Sequence, residues 1–453
     1  MDLDFNDVFN AVKFAVYATD GRHSVQAAAA PPRPARTGHV VCNAALPAPA
    51  SRTTYDDLPP EVIQQIASYL SCDDIAQLSA LNQRSYGILR ERRLAWRNCR
   101  RAETVVDLAS LQQLLDDTQD LQFEPSLRTD PVVALWYRLP WLPAAERPEA
   151  FKRLFRAADG IPRHGHVIQQ LMIVSIAQYA PQQRVELFDF VQAIAEQHRN
   201  GHQNLWASLA STLSCLPLGP SQFAARYQAL LGRLPSLGQT QQAELIAVLA
   251  AQLSVLRDSS HGAALDVSME YGILQDWTRR LPPSLQGAPV GALAAAVSGL
   301  PDAQRPFRYA DMQQLALGLP SEQLMITLQQ LLLGLATLPA AQHANKLSML
   351  ESALLRTPPP VRIQAVHRLI ETTPRLHGTL SRQIWQRALR LLDGSDTNGV
   401  DALEVLDAAR RDGVINMLGK GQRQNAVRET IAFVQRNHLT KQAGAALLAC
   451  FIP

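Results

Sequence analysis

Only a few stretches of this 453-residue chain combine residue types and spacings that could do chemistry. His198 and His202 stand four apart, a separation that can set two imidazoles on one helix face for zinc. Asn200 and Gly201 between them favour a helix end, so the pair reads as a solvated loop. His164-Gly165-His166 makes no better ligand set. Asp393 to Glu404, DGSDTNGVDALE, carries acids at both ends of a calcium-loop length. Its glycine, Gly399, falls at the seventh place, and the sixth, where the sharp turn needs glycine, is Asn398. The stretch is therefore expected to connect two helices. Leu418-Gly419-Lys420-Gly421 lacks the spaced first glycine and the Ser/Thr after lysine of a phosphate loop. The five cysteines, at 42, 72, 99, 215 and 450, show no close pairing, and their odd count argues for a reducing compartment. No Cys/His or Ser/His/Asp arrangement stands outside the apolar periodicity. The expectation is a non-enzymatic protein with no catalytic residues, no metal and no cofactor.

What those residues sit on is helical throughout. The chain is 47% hydrophobic and only 6% aromatic, so its core must be built mostly from Leu, Ala, Val and Ile. Net charge is +3, which does not demand nucleic acid, and no run of eighteen apolar residues offers a membrane span. From about residue 139 onward the chain is punctuated by X-Pro steps. They stand at Leu142-Pro143, Ile161-Pro162 and Ala180-Pro181, 19 apart, then at Leu216-Pro217 and Leu234-Pro235. After a gap of 47 they run on at Leu281-Pro282, Leu300-Pro301, Leu319-Pro320, Leu338-Pro339 and Thr357-Pro358, again 19 apart, and end at Thr373-Pro374. The residue before proline is pushed out of helix and proline suits a first turn, so each period holds one helix and a short turn. Two periods make a helical hairpin of about 38 residues, the scale of solenoid repeats. A partial signature, proline followed within a few residues by arginine and an apolar face, recurs at Pro143/Arg147, Pro181/Arg184 and Pro360/Arg362.

One stretch, Asp56 to Trp96, points to a single role. Pro59 and Pro60 suit a first turn and Glu61 suits the positive end of the helix dipole. Val62, Ile63, Ile66, Tyr69 and Leu70 fall at helical spacing. Ser71 with Asp74 reads as a capping box opening a second helix, with Ile75, Leu78 and Leu81 as its apolar face. A third helix is expected from Asn82, with Tyr86, Leu89 and Trp96 inward. Some forty residues with this much apolar face are expected to bury part of it against a partner.

The stretch resembles an F-box. The residues that carry the resemblance are Leu58-Pro59-x-Glu61, Ile66 with Tyr69-Leu70, Asp73/Asp74 with Ile75 and Leu78, and Trp96. Tyr86 stands where the family often has tryptophan. The resemblance implies docking on a Skp1-type adaptor and, through it, on a cullin-RING ubiquitin ligase, with Leu58, Pro59, Ile66, Leu70, Leu78 and Trp96 as adaptor contacts or their support. It also gives a second reading to the scarcity of lysine: of 43 Lys+Arg only five are lysine, and lysine is the ubiquitin acceptor. GC-rich codon usage is the other reading.

Residues 1–54 include an apolar stripe, Phe5, Val8, Phe9, Val12 and Val16, followed by an Ala/Pro/Ser-rich run expected to be disordered. Joined to the F-box, they resemble the leaders of type III secreted effectors of plant-pathogenic bacteria, which implies delivery into a host cell's cytoplasm or nucleus; a cytoplasmic protein is the alternative. The expected organisation is all-α: a leader (1–54), a three-helix F-box (55–102) and an α-solenoid of helical-hairpin repeats (103–453). The solenoid would recruit a protein substrate, with Arg305, Phe307, Arg308 and Tyr309 as anchors where Pro306 breaks the rhythm. The competing reading is a helical scaffold whose F-box-like segment caps the stack. Arginines 84, 90, 92, 93, 97, 100 and 101 form a positive run that fits a solvated face, an acidic partner or nucleic acid; no interleaved aromatics or glycines support the last.

Overall fold

The computed structural model describes Tyr55 and residues 58–67, 70, 72–119, 125–162, 164–197, 205–256, 265–376, 378–393 and 420–436. The leader, Tyr69, Ser71, His198, His202, residues 394–404 and Leu418 lie outside them. Twenty α-helices joined by turns and short 3-10 segments make up the described residues, with no strand among them, so the all-α expectation holds. The chain divides into two compact units, 1–191 and 192–453.

The first unit begins with α1 (Pro60–Ala67), α2 (Cys72–Ala80), α3 (Gln83–Ile88) and α4 (Arg90–Ala102). Pro60 opens α1 with Glu61 in its first turn. Asn82 caps α3, its Oδ1 accepting from the Ser85 backbone N–H at 2.7 Å. The single third helix expected from Asn82 through Trp96 is two. Gly87 weakens the helix where Leu89, fully buried, takes a non-helical ψ of 10° and turns into the core. Leu89 closes a small core with Ile63, Ala67 and Ile75, against which Tyr55, Leu58, Leu70, Leu78 and Ile88 pack.

Helix α4 belongs to two neighbourhoods. One side meets α2 and α3; the other packs on α5 (Leu108–Gln119) and α6 (Thr129–Arg138). There Asn98 donates to the Thr118 hydroxyl at 3.4 Å and Arg101 pairs with Asp117. The unit continues through α7 (Arg147–Asp159) and α8 (Gly165–Ser175), and the boundary to the second unit falls within α9 (Pro181–Gln197). Helix α6 packs along α4, and α7 along α5.

The second unit contains α10 (Leu205–Thr212), α11 (Pro220–Leu231), α12 (Gln239–Leu256), α13 (Val267–Arg280), α14 (Gly287–Ala296), α15 (Arg305–Leu317), α16 (Ser321–Leu335), α17 (Ala340–Leu354), α18 (Pro359–Thr372), α19 (Gly378–Asp393) and α20 (Lys420–Arg436). Helices α10, α12, α14, α16 and α18 form one row, each packed on the next. Small residues draw α14 and α16 together: a Cβ on Gly334 would lie 2.1 Å from the Ala294 carbonyl oxygen. Between them run α11, α13, α15 and α17, bridged by long side chains. Gln228 reaches Glu270, Arg308 reaches Gln275 (2.8 Å), and Gln313 reaches the Lys346 carbonyl (2.8 Å).

The proline rhythm turns out to have two kinds of step. Leu142, Leu281 and Leu300 are extended residues leading toward the next helix, as expected. Leu234-Pro235 and Thr373-Pro374 instead sit in 3-10 turns that close a helix, where proline at the turn's start leaves no needed donor missing. Pro306 does not break the rhythm either. It occupies the first turn of α15 just as Pro148 occupies that of α7, and both helices simply start four residues later than the X-Pro step.

Because α4 serves both neighbourhoods, the segment is separable from the stack before α4 and not after it. A chain starting at Asn82 is expected to melt within a few degrees of the full chain, whereas one starting at Glu103 loses α4 and falls by at least about 5 °C. Circular dichroism melts of the two truncations check this.

Candidate functional site

The F-box-like stretch builds its core from residues other than most of its motif. Ile63, Ala67, Ile75 and Leu89 are buried. Of the six residues expected to contact an adaptor, Leu58, Leu70 and Leu78 are half-buried at the rim of that core, where they can both support it and be touched from outside. Pro59 is exposed, and Ile66, on the outer side of α1, is 38% exposed. Trp96 lies apart from them on α4, half-buried, with the Arg100 guanidinium 6.0 Å from its ring centre.

Two residues expected inward face solvent. Leu81 is 65% exposed because α2 ends at Ala80, before Leu81 can join its apolar face. Tyr86 is 57% exposed because the break at Leu89 turns α3 so that Ser85 and Leu89 point inward in its place. The Arg93 guanidinium lies 3.3 Å over the Tyr86 ring and also donates to the Tyr86 carbonyl at 3.0 Å. Its hydrogen bond and charge hold the Tyr86 phenol below its ordinary range. Leu81 and Tyr86 thus join Ile66 as large side chains exposed along the stretch from α1 to α3. Gly87 weakens a continuous helix there, but no sequence signal places the break at Leu89 that exposes Tyr86.

The anchors expected on the helical stack are not one site. Tyr309 is fully buried and its hydroxyl donates to the Leu331 carbonyl at 3.1 Å, so it is core and not an anchor. Burial pushes its phenol far above the ordinary range. Arg305 has an 11% exposed side chain: its Nε donates to the Leu300 carbonyl at 2.9 Å and it pairs with Asp302 at 2.8 Å. Arg308 bonds Gln275 and sits over the Tyr271 ring at 5.7 Å. Of the four, Phe307 alone is well exposed, at 67%.

Arg305 exposes what the proline-arginine signature does. In each case the side chain five residues beyond the extended residue bonds back to that residue's carbonyl. Arg147 does so to Leu142 (2.8 Å), Arg184 to Tyr179 (2.7 Å) and Arg362 to Thr357 (3.1 Å). Gln242, Gln286 and His343 take the same role toward Leu237, Leu281 and Leu338. Four residues further on in several helices comes a large buried side chain: Phe151, Phe188, Tyr309 and Leu347. Within each run they recur at 37 to 38 residues, through side chains of varying type.

Among the described residues, no group of three or more His, Cys, Asp or Glu could hold a metal ion. Cys99 and Cys215 are not in a disulfide. Glu270 is buried, and that burial holds its carboxyl above the usual range, but its side chain is bonded by Gln228 in the packing between α11 and α13. No described helix is long and apolar enough to cross a membrane. Comparison with known protein families, curated proteins and solved structures finds no match to this chain.

The turn-locking role of Arg305 separates it from Phe307 in a stability measurement. Arg305→Ala is expected to cost about 1.5–3 kcal/mol, as for a lost hydrogen bond from a charged donor, and Phe307→Ala to stay within about 0.5 kcal/mol. Urea denaturation of the two variants reads the difference.

Proposed function

We propose that the segment 55–102 is an F-box that docks, chiefly through its first three helices, on a Skp1-type adaptor of a cullin-RING ubiquitin ligase, and that the helices behind it (103–453) form an α-solenoid that presents a bound target. The observation that carries this reading is the division of labour within residues 58–89. The core is closed by Ile63, Ala67, Ile75 and Leu89, while Pro59 and Ile66 of the motif, with Leu81 and Tyr86, remain exposed. Uncovered apolar side chains on so small a unit are what an interface needs and what a free-standing fold avoids.

The repeated turns support the solenoid half of the reading. Hydrogen bonds between residues 33 to 42 apart, such as Leu108 N–H to Glu146, Lys152 to Glu186, Arg308 to Gln275 and Gln228 to Glu270, join equivalent helices of successive hairpins. In this reading the protein performs no covalent step. It raises the local concentration of a target's lysines near a charged ubiquitin-conjugating enzyme. Secretion by a bacterial type III system into a host cell belongs to the same proposal and rests on the composition of residues 1–54. The alternative, a non-enzymatic scaffold, is favoured by the sharing of α4 between the segment and the stack.

The test is co-purification with a purified Skp1-type adaptor. Ile66→Glu and Pro59→Ala change exposed positions and are expected to leave the melting temperature within a few degrees while weakening adaptor capture at least tenfold. Capture that survives both changes favours the scaffold.

A further inference from the structure

The chain as a whole is nearly balanced, with 43 basic and 40 acidic residues, yet residues 84–101 hold seven arginines and one glutamate. The structure sorts those arginines. Arg84 donates to the Leu58 carbonyl and Arg101 pairs with Asp117, so both are engaged within the fold. Arg90, Arg93, Arg97 and Arg100 recur at steps of three and four along α4 and share one face. Arg90, Arg97 and Arg100 are exposed. The stripe runs from Arg90 to Arg100, ten steps and about 15 Å at roughly 1.5 Å per residue.

Beside it opens a cavity of about 740 Å³ whose lining includes Gln64, Ile88, Arg90, Arg92, Arg97 and Asn98. Two acids also face it, Glu91 and Asp117, the second of them paired with Arg101. Glu103 reaches Arg100 only at 4.0 Å, with both side chains largely in solvent. Like charges three and four apart on a helix oppose its formation by roughly 0.2–0.5 kcal/mol each. Such a face is stabilised by an anion laid along it.

We infer that the α4 stripe and its cavity bind an acidic segment of a partner protein, its carboxylates paired with the exposed Arg90, Arg97 and Arg100, Arg93 being held by Tyr86. Guanidinium forks match carboxylates in a bidentate geometry that a solvated face does not use. A nucleic acid fits less well for two reasons. Base stacking needs open aromatic faces; Arg93 occupies one face of the exposed Tyr86 ring, and Trp96 is half-buried with Arg100 6.0 Å from its ring centre. A stripe of four arginines also offers fewer charges than the roughly six to ten phosphate contacts of a typical duplex site. The inference rests on α4 and stands whether or not the segment before it docks on a Skp1-type adaptor.

The experiment uses the full chain and a fluorescein-labelled peptide of alternating glutamate and alanine, with the matching glutamine peptide and an oligothymidylate of equal length as comparators. Anisotropy is read at low and raised salt. Saturable binding of the glutamate peptide is expected, weakened at least tenfold by raising salt from about 50 to 300 mM and at least tenfold by Arg90→Glu with Arg97→Glu. Arg280→Glu, an exposed arginine on α13, leaves it unchanged. Both charge changes are at exposed positions, and circular dichroism verifies that the double variant is folded. The proposal is overturned if the wild-type chain ignores the glutamate peptide, if the double variant binds it as well as wild type, if the glutamine peptide binds equally, or if the oligothymidylate binds more tightly through the same arginines.

Discussion

A chain that leaves one helix through an extended residue and enters the next strands a carbonyl at the turn, and the helix-on-helix packing depends on satisfying it. This protein solves the problem with a side chain five residues further on. Arg147, Arg184, Gln242, Gln286, Arg305, His343 and Arg362 all reach back to the carbonyl that leads into their own helix. Each such bond fixes the angle at which a helix starts. A fixed start lets the ninth residue, Phe151 after Leu142 or Tyr309 after Leu300, drop into the core at the same place each time. Donor chemistry varies among Arg, Gln and His because the requirement is only for an N–H of the right reach.

The two kinds of helix in the second unit follow from what each must do. Those of the α10–α12–α14–α16–α18 row approach backbone to backbone, which is why Gly334 sits against Ala294 and no larger residue would fit. The helices between them hold the polar bridges and the large aromatic side chains, Tyr227, Tyr271 and Tyr309, all fully buried. Tyr227 and Tyr309 each donate to a carbonyl 22 residues on, Leu249 and Leu331, so the hydroxyls as well as the rings repeat.

The helical character and its period could be read from the sequence because proline and leucine obey local rules: proline cannot donate, and leucine recurs at the spacing of a buried face. Leu324, Leu328, Leu331, Leu332 and Leu335 are buried as that spacing implies. What could not be read was the destination of polar side chains. Arg305 and Arg308 look like free anchors until the turn and Gln275 claim them, and Tyr309 looks like one until its place nine residues after Leu300 sends it inward. At the candidate docking site the motif positions were legible, but the break at Leu89 was not. It depends on a tertiary contact with Ile63, Ala67 and Ile75 that outweighs helix continuity, and it is what turns Tyr86 outward.

The central claim is that α1 to α3 are covered by an adaptor while the stack stays free for another partner. Amide hydrogen exchange of the full chain, with and without a saturating Skp1-type adaptor, tests it most directly. The account predicts slowed exchange confined to residues 58–89, through α1, α2 and α3, with α12 to α18 unchanged. Protection on the stack with none in α1 to α3, or no protection anywhere at saturation, would contradict it.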